Sequence, residues 1–241
     1  MAIESQEAVS AAILKRLSEI RMRMDAAAKS VGRSTQDITL MAVTKTVPPQ
    51  QVNVAVAAGV TYLGENRVQE FLSKRDAYDK RAEVQFIGHL QTNKVKQVVG
   101  KVTLIHSVDR ESLLSEIAKA ARQQDLIQDI LLEVNIGGEA SKSGVMPDEL
   151  GALLEKAMEC PDVRVRGLMT IPPRFETVTQ AEECFARMQS LYQQMKITAP
   201  QLEILSMGMS GDYETAIRYG ATIIRLGSAL FGARVYPQPQ L

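Results

Sequence analysis

The spacing of hydrophobic residues divides the chain into one leading helix and a long series of alternating strands and helices. Residues 6 to about 28 carry apolar side chains three and four positions apart, which predicts an amphipathic helix. Beyond it, short apolar runs rich in β-branched residues predict eight strands. The predicted strands are Ile38 to Lys45, Tyr62 to Asn66, Val84 to Leu90, Leu104 to Asp109, Ile130 to Ile136, Val163 to Ile171, Leu202 to Met207 and Ile223 to Phe231.

The segments between these strands have the three- and four-residue periodicity of helices. Predicted helices begin near Gln50, Asp109, Pro147, Ala181 and Tyr213, with Asp109 as an N-cap and Pro147 in a first turn. Every predicted strand except the last is followed by a helix. Alternating units of this kind favour a parallel sheet, and eight of them without a linker favour closure into a (β/α)8 barrel.

We therefore expect a single α/β domain over residues 1–241, a TIM barrel with an extra N-terminal helix. A doubly wound open sheet is the main alternative, but that fold usually carries a glycine fingerprint after its first strand. Lys45-Thr-Val-Pro-Pro49 occupies that place here. The tail Pro237-Gln-Pro-Gln-Leu241 follows soon after the eighth predicted strand, so no C-terminal β domain is expected.

The composition and the cysteine spacing exclude several classes of protein. The 28 Lys and Arg residues balance the 28 Asp and Glu residues, and no basic stripe is present, so a nucleic-acid partner is not expected. The sequence shows neither a signal-peptide pattern nor an apolar run of membrane-spanning length. The spacing of Cys160 and Cys184 fits neither a metal site nor a redox pair. These features predict a cytoplasmic protein without a metal.

One lysine lies at the carboxyl end of the first predicted strand, where barrels build their active sites. Partial burial lowers the pKa of a lysine amine and favours its attack on aldehydes, so Lys45 is a candidate Schiff-base residue. The alternative is a rim lysine whose aliphatic stem packs on the barrel while the ammonium group reaches water.

Small residues with hydrogen-bond donors follow the seventh and eighth predicted strands, where barrels often bind phosphate. Ser210 lies in the first of these loops, and Gly227 and Ser228 lie in the second. Glycine admits an anion closely and serine donates to it, although tight turns are an equally good explanation. A Schiff-base lysine and a phosphate site together point to pyridoxal 5′-phosphate (PLP), held as a covalent aldimine on Lys45.

Arg225, in the eighth predicted strand, is the candidate partner of the PLP ring nitrogen. A cationic donor there keeps the nitrogen unprotonated, which makes the ring a poorer electron sink than one facing an aspartate. The alternative for Arg225 is an ion pair with an acidic residue at the end of the barrel.

Six motifs occur in one order along the chain and together resemble those of the pyridoxal phosphate homeostasis protein family. Several are six or seven residues long, and the likeness extends from about residue 10 to Arg234. The motifs are Ala42-Val-Thr-Lys45, Gly64-Glu-Asn-Arg-Val-Gln-Glu70, Phe86-Ile-Gly-His-Leu-Gln91 followed by Asn93-Lys94, Gly167-Leu-Met-Thr-Ile171, Ser206-Met-Gly-Met-Ser210 and Arg225-Leu-Gly-Ser228.

The resemblance implies a monomeric barrel of the alanine racemase N-terminal-domain type that binds PLP and takes part in its homeostasis, without established enzymatic activity. It also implies PLP and apo PLP-dependent enzymes as partners, and His89 as a wall residue of the site. The implied cofactor-binding residues are Lys45 as the aldimine lysine, Ser210, Gly227 and Ser228 at the phosphate, Arg225 at the ring nitrogen, Asn66 beside the ring, and Met207 in the wall.

Storage and delivery of PLP fit this sequence better than a dedicated reaction. Racemisation needs an acid or base on each face of the substrate, and no tyrosine or cysteine stands out as the counterpart of Lys45. Three alternatives remain: a weak PLP-dependent amino-acid racemase with an unrecognised second base, an aldolase-like barrel that uses Lys45 on a sugar phosphate, and a regulatory interaction module.

Overall fold

The structure, a computed structural model, describes residues 5–139 and 142–232 of the 241-residue chain. The predicted tail from Pro237 to Leu241 and the end of the family likeness at Arg234 lie outside these residues, as do positions 140 and 141 of the loop after the fifth strand. Within the described ranges, no helix has both the length and the apolar character needed to cross a membrane.

Eight parallel strands form a closed barrel in which each strand pairs with its neighbours in chain order. The first strand, β1, pairs with the last, β8, through the register Thr39↔Ile223, and this pairing closes the ring. The predicted (β/α)8 barrel is confirmed. The strands are β1 Thr39–Val43, β2 Tyr62–Glu65, β3 Glu83–Phe86, β4 Leu104–Val108, β5 Gln128–Glu133, β6 Val163–Met169, β7 Ile204–Ser206 and β8 Ile223–Leu226.

Helices surround the barrel, and at two places they differ from the predicted order of strands and helices. The connection from β3 to β4 contains the 3-10 helix Thr92–Gln97 rather than an α-helix, and β8 is followed by a helix of one turn. Two further 3-10 helices are Thr35–Asp37 and Arg75–Ala77. The α-helices are α1 Gln6–Lys29, α2 Pro49–Ala57, α3 Val68–Lys74, α4 Glu111–Arg122, α5 Leu150–Met158, α6 Val178–Thr198, α7 Tyr213–Arg218 and α8 Ser228–Phe231.

Several predicted element ends were wrong. The predicted eighth strand ran to Phe231, but β8 stops at Leu226 because Gly227 is the N-cap of α8. Asp109 does not cap α4: the N-cap is Arg110, and the Asp109 carboxylate instead accepts a hydrogen bond from Arg110 Nη1 at 2.5 Å. Pro147 lies in the turn before α5 rather than within its first turn.

The extra N-terminal helix completes the outer layer where the barrel closes. Its apolar stripe, which includes Ile13, Leu17, Ile20 and Met24, is buried, and α1 packs against α2, α7 and α8. Because α8 has a single turn, it cannot cover the β8–β1 pair by itself. Helix α1 therefore supplies the apolar surface that the short last helix lacks.

The barrel interior is part hydrophobic and part polar. Two small clusters of buried apolar side chains lie apart from the main core, one around Met41 and Ile223 and the other around Leu131 and Met169. The buried residues also include polar side chains of four different strands, and buried polar groups need partners. Those of β3, β4, β7 and β8 are Gln85, His106, Ser206 and Arg225.

Candidate functional site

A cavity of about 540 Å³ opens at the carboxyl ends of the barrel strands. This is the end where barrels of this architecture place their sites. The cavity brings together six of the seven residues predicted to bind cofactor, and apolar side chains complete its wall. The six are Lys45, Asn66, Ser210, Arg225, Gly227 and Ser228, and the apolar lining is Val43, Ile87, Ile171 and Met209.

Lys45 lies in a turn two residues beyond the end of β1 and is half-buried. Thr46, the next residue, has a φ of 64°, a conformation that is uncommon for a residue other than glycine. Its backbone N–H donates to Glu70 Oε1 at 2.5 Å, and on the other side Thr44 Oγ1 donates to Glu65 Oε1 at 2.8 Å. These two bonds fix the chain on both sides of Lys45, so its side chain starts from a defined position at the cavity.

The loop after β7 and the beginning of α8, both far from Lys45 in the sequence, form another part of the cavity wall. The Ser210 hydroxyl accepts a hydrogen bond from the Ala229 backbone N–H at 3.1 Å, which ties the loop to the helix. Gly227 packs near Val43, where an added Cβ would make ordinary contact at 3.5 Å. Small residues therefore surround this end of the cavity, and the hydroxyls of Ser210 and Ser228 can donate to an anion placed there.

Arg225 is a buried cation in the cavity wall, and only 4% of its surface is exposed. Its Nη1 donates to Ser206 Oγ at 2.7 Å and its Nη2 to the Thr170 carbonyl at 2.7 Å. Burial lowers the pKa of the guanidinium to about 10, while Glu133 and Asp212 oppose this shift. Arg225 is thus a cation at neutral pH, and among the described residues it has no carboxylate within ion-pair distance.

Asn66 presents an unpaired acceptor in the same cavity. Its Oδ1 atom is buried and has no hydrogen-bond partner within the described part of the chain. A buried acceptor without a donor is costly, so a ligand hydroxyl or protonated nitrogen would stabilise the site. Gly88 packs directly against the backbone of Asn66: a Cβ on that glycine would lie 2.1 Å from the Asn66 carbonyl oxygen.

Two predicted wall residues lie elsewhere. Met207 is fully buried in the main hydrophobic core and does not line the cavity, where Met209 is found instead. The intervening Gly208 has a φ of 94°, which redirects the chain after β7. His89 is half-exposed and lies 3.2 Å from Ser143 Oγ through its Nδ1, also outside the cavity lining.

Sequence reasoning missed a buried acid near Arg225. Glu133, at the end of β5, is 3% exposed, and burial, reinforced by Asp109, raises its pKa to about 7 despite the attraction of Arg225. It also missed the buried polar residues behind Arg225. The sequence feature that could have identified these residues is a polar residue within a predicted buried strand, as in Leu104-Ile-His-Ser-Val108.

A second cavity of about 620 Å³ adjoins the first and shares Ile171, Arg174, Met209 and Gly211 with it. The loop from Ile171 to Thr177, between β6 and α6, forms much of its wall. The exposed Arg174 stands between the two cavities. The Lys45 cavity is therefore continuous with a wider opening rather than sealed.

Comparison with known proteins agrees with this fold. Residues 16–235 match the family model described as the alanine racemase N-terminal domain. The pyridoxal phosphate homeostasis protein of Aquifex aeolicus is 45% identical over 227 residues, which cover 92% of this chain and 98% of the relative.

Solved structures show the same barrel. PipY of Synechococcus elongatus, solved with PLP bound, is 32% identical with a TM-score of 0.78, and the match covers 91% of this chain and all of PipY. Alanine racemase from Streptomyces lavendulae is 19% identical with a TM-score of 0.72; the match covers 97% of this chain but 58% of the racemase. At that identity the racemase shares the fold alone.

Proposed function

The chain belongs to the pyridoxal phosphate homeostasis proteins of the alanine racemase N-terminal-domain family, and from this premise we propose that it binds PLP and takes part in the homeostasis of this cofactor. The observation that carries the proposal is the single cavity that Lys45, Asn66, Arg225 and the serines share. Relatives with the homeostasis name and PipY with bound PLP give independent support.

The residues of the cavity fit the chemical groups of PLP. The hydroxyls of Ser210 and Ser228, which lie in the cavity wall with the small residue Gly227, suit a phosphate. The buried Arg225 cation suits the ring nitrogen as acceptor, and the unpaired Oδ1 of Asn66 suits a donor on the ring or its substituents. The apolar side chains between them suit the faces of an aromatic ring.

We assign Lys45 as the attachment point. Its amine would attack the PLP aldehyde carbon, and loss of water would give a Schiff base. The linkage would be reversible, because a second amine can replace Lys45 at the aldehyde carbon or water can release the free aldehyde, and in both cases the Lys45 amine leaves. Reversible storage and delivery require this chemistry. Apo PLP-dependent enzymes are the proposed recipients, and the cytoplasm, where both cysteines can stay unpaired as they are here, is the proposed compartment.

We further propose that the protein has no dedicated reaction of its own. The described residues that line the Lys45 cavity include no tyrosine, cysteine or histidine, so the usual second acid or base for racemisation is missing from that lining. Loss of α-deuterium from labelled amino acids tests this point. Exchange at rates typical of enzymes would contradict it.

The cofactor and its attachment are tested together by borohydride reduction of the PLP-loaded protein, followed by peptide mapping. We expect one reduced pyridoxyl group on the peptide that contains Lys45. Lys45→Ala should lose the label, whereas Lys142→Ala should keep it, since Lys142 lines only the adjoining cavity.

Two results would count against the proposal. A label on another lysine would show that Lys45 is not the attachment point, although PLP binding would stand. A colourless protein that takes up no PLP but is trapped by borohydride with a sugar phosphate would instead favour an aldolase-like barrel.

A further inference from the structure

A chain of hydrogen bonds crosses the barrel interior behind Arg225. Gln85 Oε1 lies 2.7 Å from His106 Nε2, and His106 Nδ1 lies 3.2 Å from Ser206 Oγ. Ser206 Oγ in turn accepts from Arg225 Nη1 at 2.7 Å. The four side chains come from β3, β4, β7 and β8, and at most 4% of each is exposed.

The two ends of this chain fix the direction of every bond in it. The amide oxygen of Gln85 can only accept, so Nε2 of His106 carries the proton. Arg225 can only donate, so Ser206 Oγ accepts from it and directs its own proton to His106 Nδ1. Neutral His106 with its proton on Nε2 satisfies both ends at once.

A protonated His106 would break this order, because both ring nitrogens would then donate. Burial, and the positive charge of Arg225, lower the pKa of His106 well below its usual value. The imidazole therefore stays neutral, and its Nδ1 remains an acceptor for the Ser206 proton.

The consequence for Arg225 is a guanidinium group held at two points. Ser206 Oγ holds Nη1 and the Thr170 carbonyl holds Nη2. Thr170 is itself fixed, since its hydroxyl donates to the Val134 carbonyl at 2.8 Å. Two anchors on a planar group define its plane, and the remaining N–H bonds then have a set direction at the cavity.

We propose that His106 is a positioning residue for the cofactor: through Ser206 it orients Arg225 toward the ring nitrogen of PLP. The inference rests on the proposed function, because it concerns the same cavity. It adds a residue that does not line the cavity and that acts only through the hydrogen-bonded chain. This action resembles that of residues that orient metal ligands from behind.

The hydrogen-bonded chain itself is tested without cofactor. The protein has two histidines, so ¹⁵N NMR of the cofactor-free protein gives two sets of ring signals, and a His89→Asn variant assigns them. We expect His106 as the Nε2–H tautomer at neutral pH. Signals of the Nδ1–H tautomer, or of an imidazolium, would overturn the proposal.

The effect on the cofactor is tested by comparing two ligands by equilibrium dialysis. One is PLP, and the other is 1-deazapyridoxal 5′-phosphate, in which C–H replaces the ring nitrogen. Ser206→Ala and His106→Leu should weaken PLP binding by about tenfold, because an oriented charge-assisted hydrogen bond is lost. Both should leave binding of the deaza ligand unchanged to within about twofold.

His106→Asn is the matched control, since its amide oxygen can still accept the Ser206 proton and PLP binding should stay near that of the wild type. Equal weakening of both ligands would overturn the proposal, because it would show a general structural defect. A wild-type protein that bound neither ligand would refute the proposed function and this inference together, whereas the tautomer would still report whether the chain of bonds exists.

Discussion

At the scale of single residues, the polar groups of the cavity are held in place before any ligand arrives. Arg225 is fixed through both Nη atoms, and the Ser210 hydroxyl is fixed by the Ala229 N–H. The turn at Lys45 is fixed by bonds on both sides. Prepositioned groups lose little freedom on binding, which favours tight retention of a small ligand.

Replacing the two cavity serines should loosen the cofactor without removing its attachment point. We expect Ser210→Ala combined with Ser228→Ala to weaken retention of PLP by at least about tenfold, because two donors to the phosphate are lost. The Schiff base with Lys45 should still form at high PLP concentration. Dialysis of the loaded protein, followed by absorbance, measures both effects; unchanged retention would place the phosphate elsewhere.

Glu133 gives the stability of the protein a specific pH dependence. Its pKa is raised from an ordinary 4.5 to about 7, so between these values the folded protein binds more protons than the unfolded chain. Stability must therefore fall as pH rises through this window. Glu133→Gln should remove this loss and raise the free energy of unfolding at pH 8 by up to about 3 kcal/mol.

Urea unfolding at pH 4 and pH 8 measures this effect. The variant and the wild type should be equally stable at pH 4, where both carry a neutral side chain at position 133. Glu83→Gln, at an exposed site, is the control and should change stability little at either pH. A Glu133→Gln protein that was less stable than the wild type at pH 8 would show that the charge near Arg225 is favourable.

At the scale of elements, the site depends on places where neighbouring segments approach too closely for a side chain. Gly88, just after β3, packs against the carbonyl of Asn66 after β2. Gly167 in β6 packs even more closely against the carbonyl of Ile204 in β7, where a Cβ would lie 1.8 Å from the oxygen. Glycine at these two positions lets the neighbouring segments approach each other closely.

Gly88→Ala should therefore displace Asn66 from the cavity. A Cβ at 2.1 Å from a backbone oxygen requires a backbone shift, and we expect a loss of roughly 1–3 kcal/mol in stability together with weaker PLP binding. Thermal unfolding and dialysis measure the two effects. Gly151→Ala is the control: its Cβ would meet no atom within 4 Å in helix α5, so it should be neutral or stabilising.

The strands and helices also show which features of the protein could be predicted from its sequence and which could not. Periodicity was sufficient for the barrel, and strand-end position was sufficient to select Lys45, Ser210, Gly227 and Ser228 as one group. The hydrophobic pattern could not show that Met209 rather than Met207, which the family resemblance implies, lines the cavity, because it does not reveal the positive φ at Gly208. It also failed for His106, since a histidine in a buried strand acquires its meaning only from partners on other strands.

At the scale of the whole molecule, charge and exposed apolar side chains bear on whether two copies associate. Positive and negative side chains balance at 28 each. The large hydrophobic side chains exposed in the described residues are distributed over several elements, including Leu14 on α1, Met158 on α5 and Ile197 on α6. Scattered apolar residues are normal on a monomer and do not form an interface by themselves.

We accordingly predict a monomer. Sedimentation equilibrium should give a mass of 26.5 kDa over a range of protein concentrations, with and without PLP. A mass near twice that value, or one that grew with concentration, would mean that a face of the barrel self-associates.

The closure of the barrel by its first and last elements sets an order of events during synthesis. Helix α1 and strand β1 leave the ribosome well before their partners β8, α7 and α8. Helix α2 can cover part of the apolar stripe of α1 early, but the part that packs against α7 and α8 stays uncovered until those helices are made. The ring can shut only once Leu226 has left the exit tunnel, so the Lys45 cavity is completed late in synthesis.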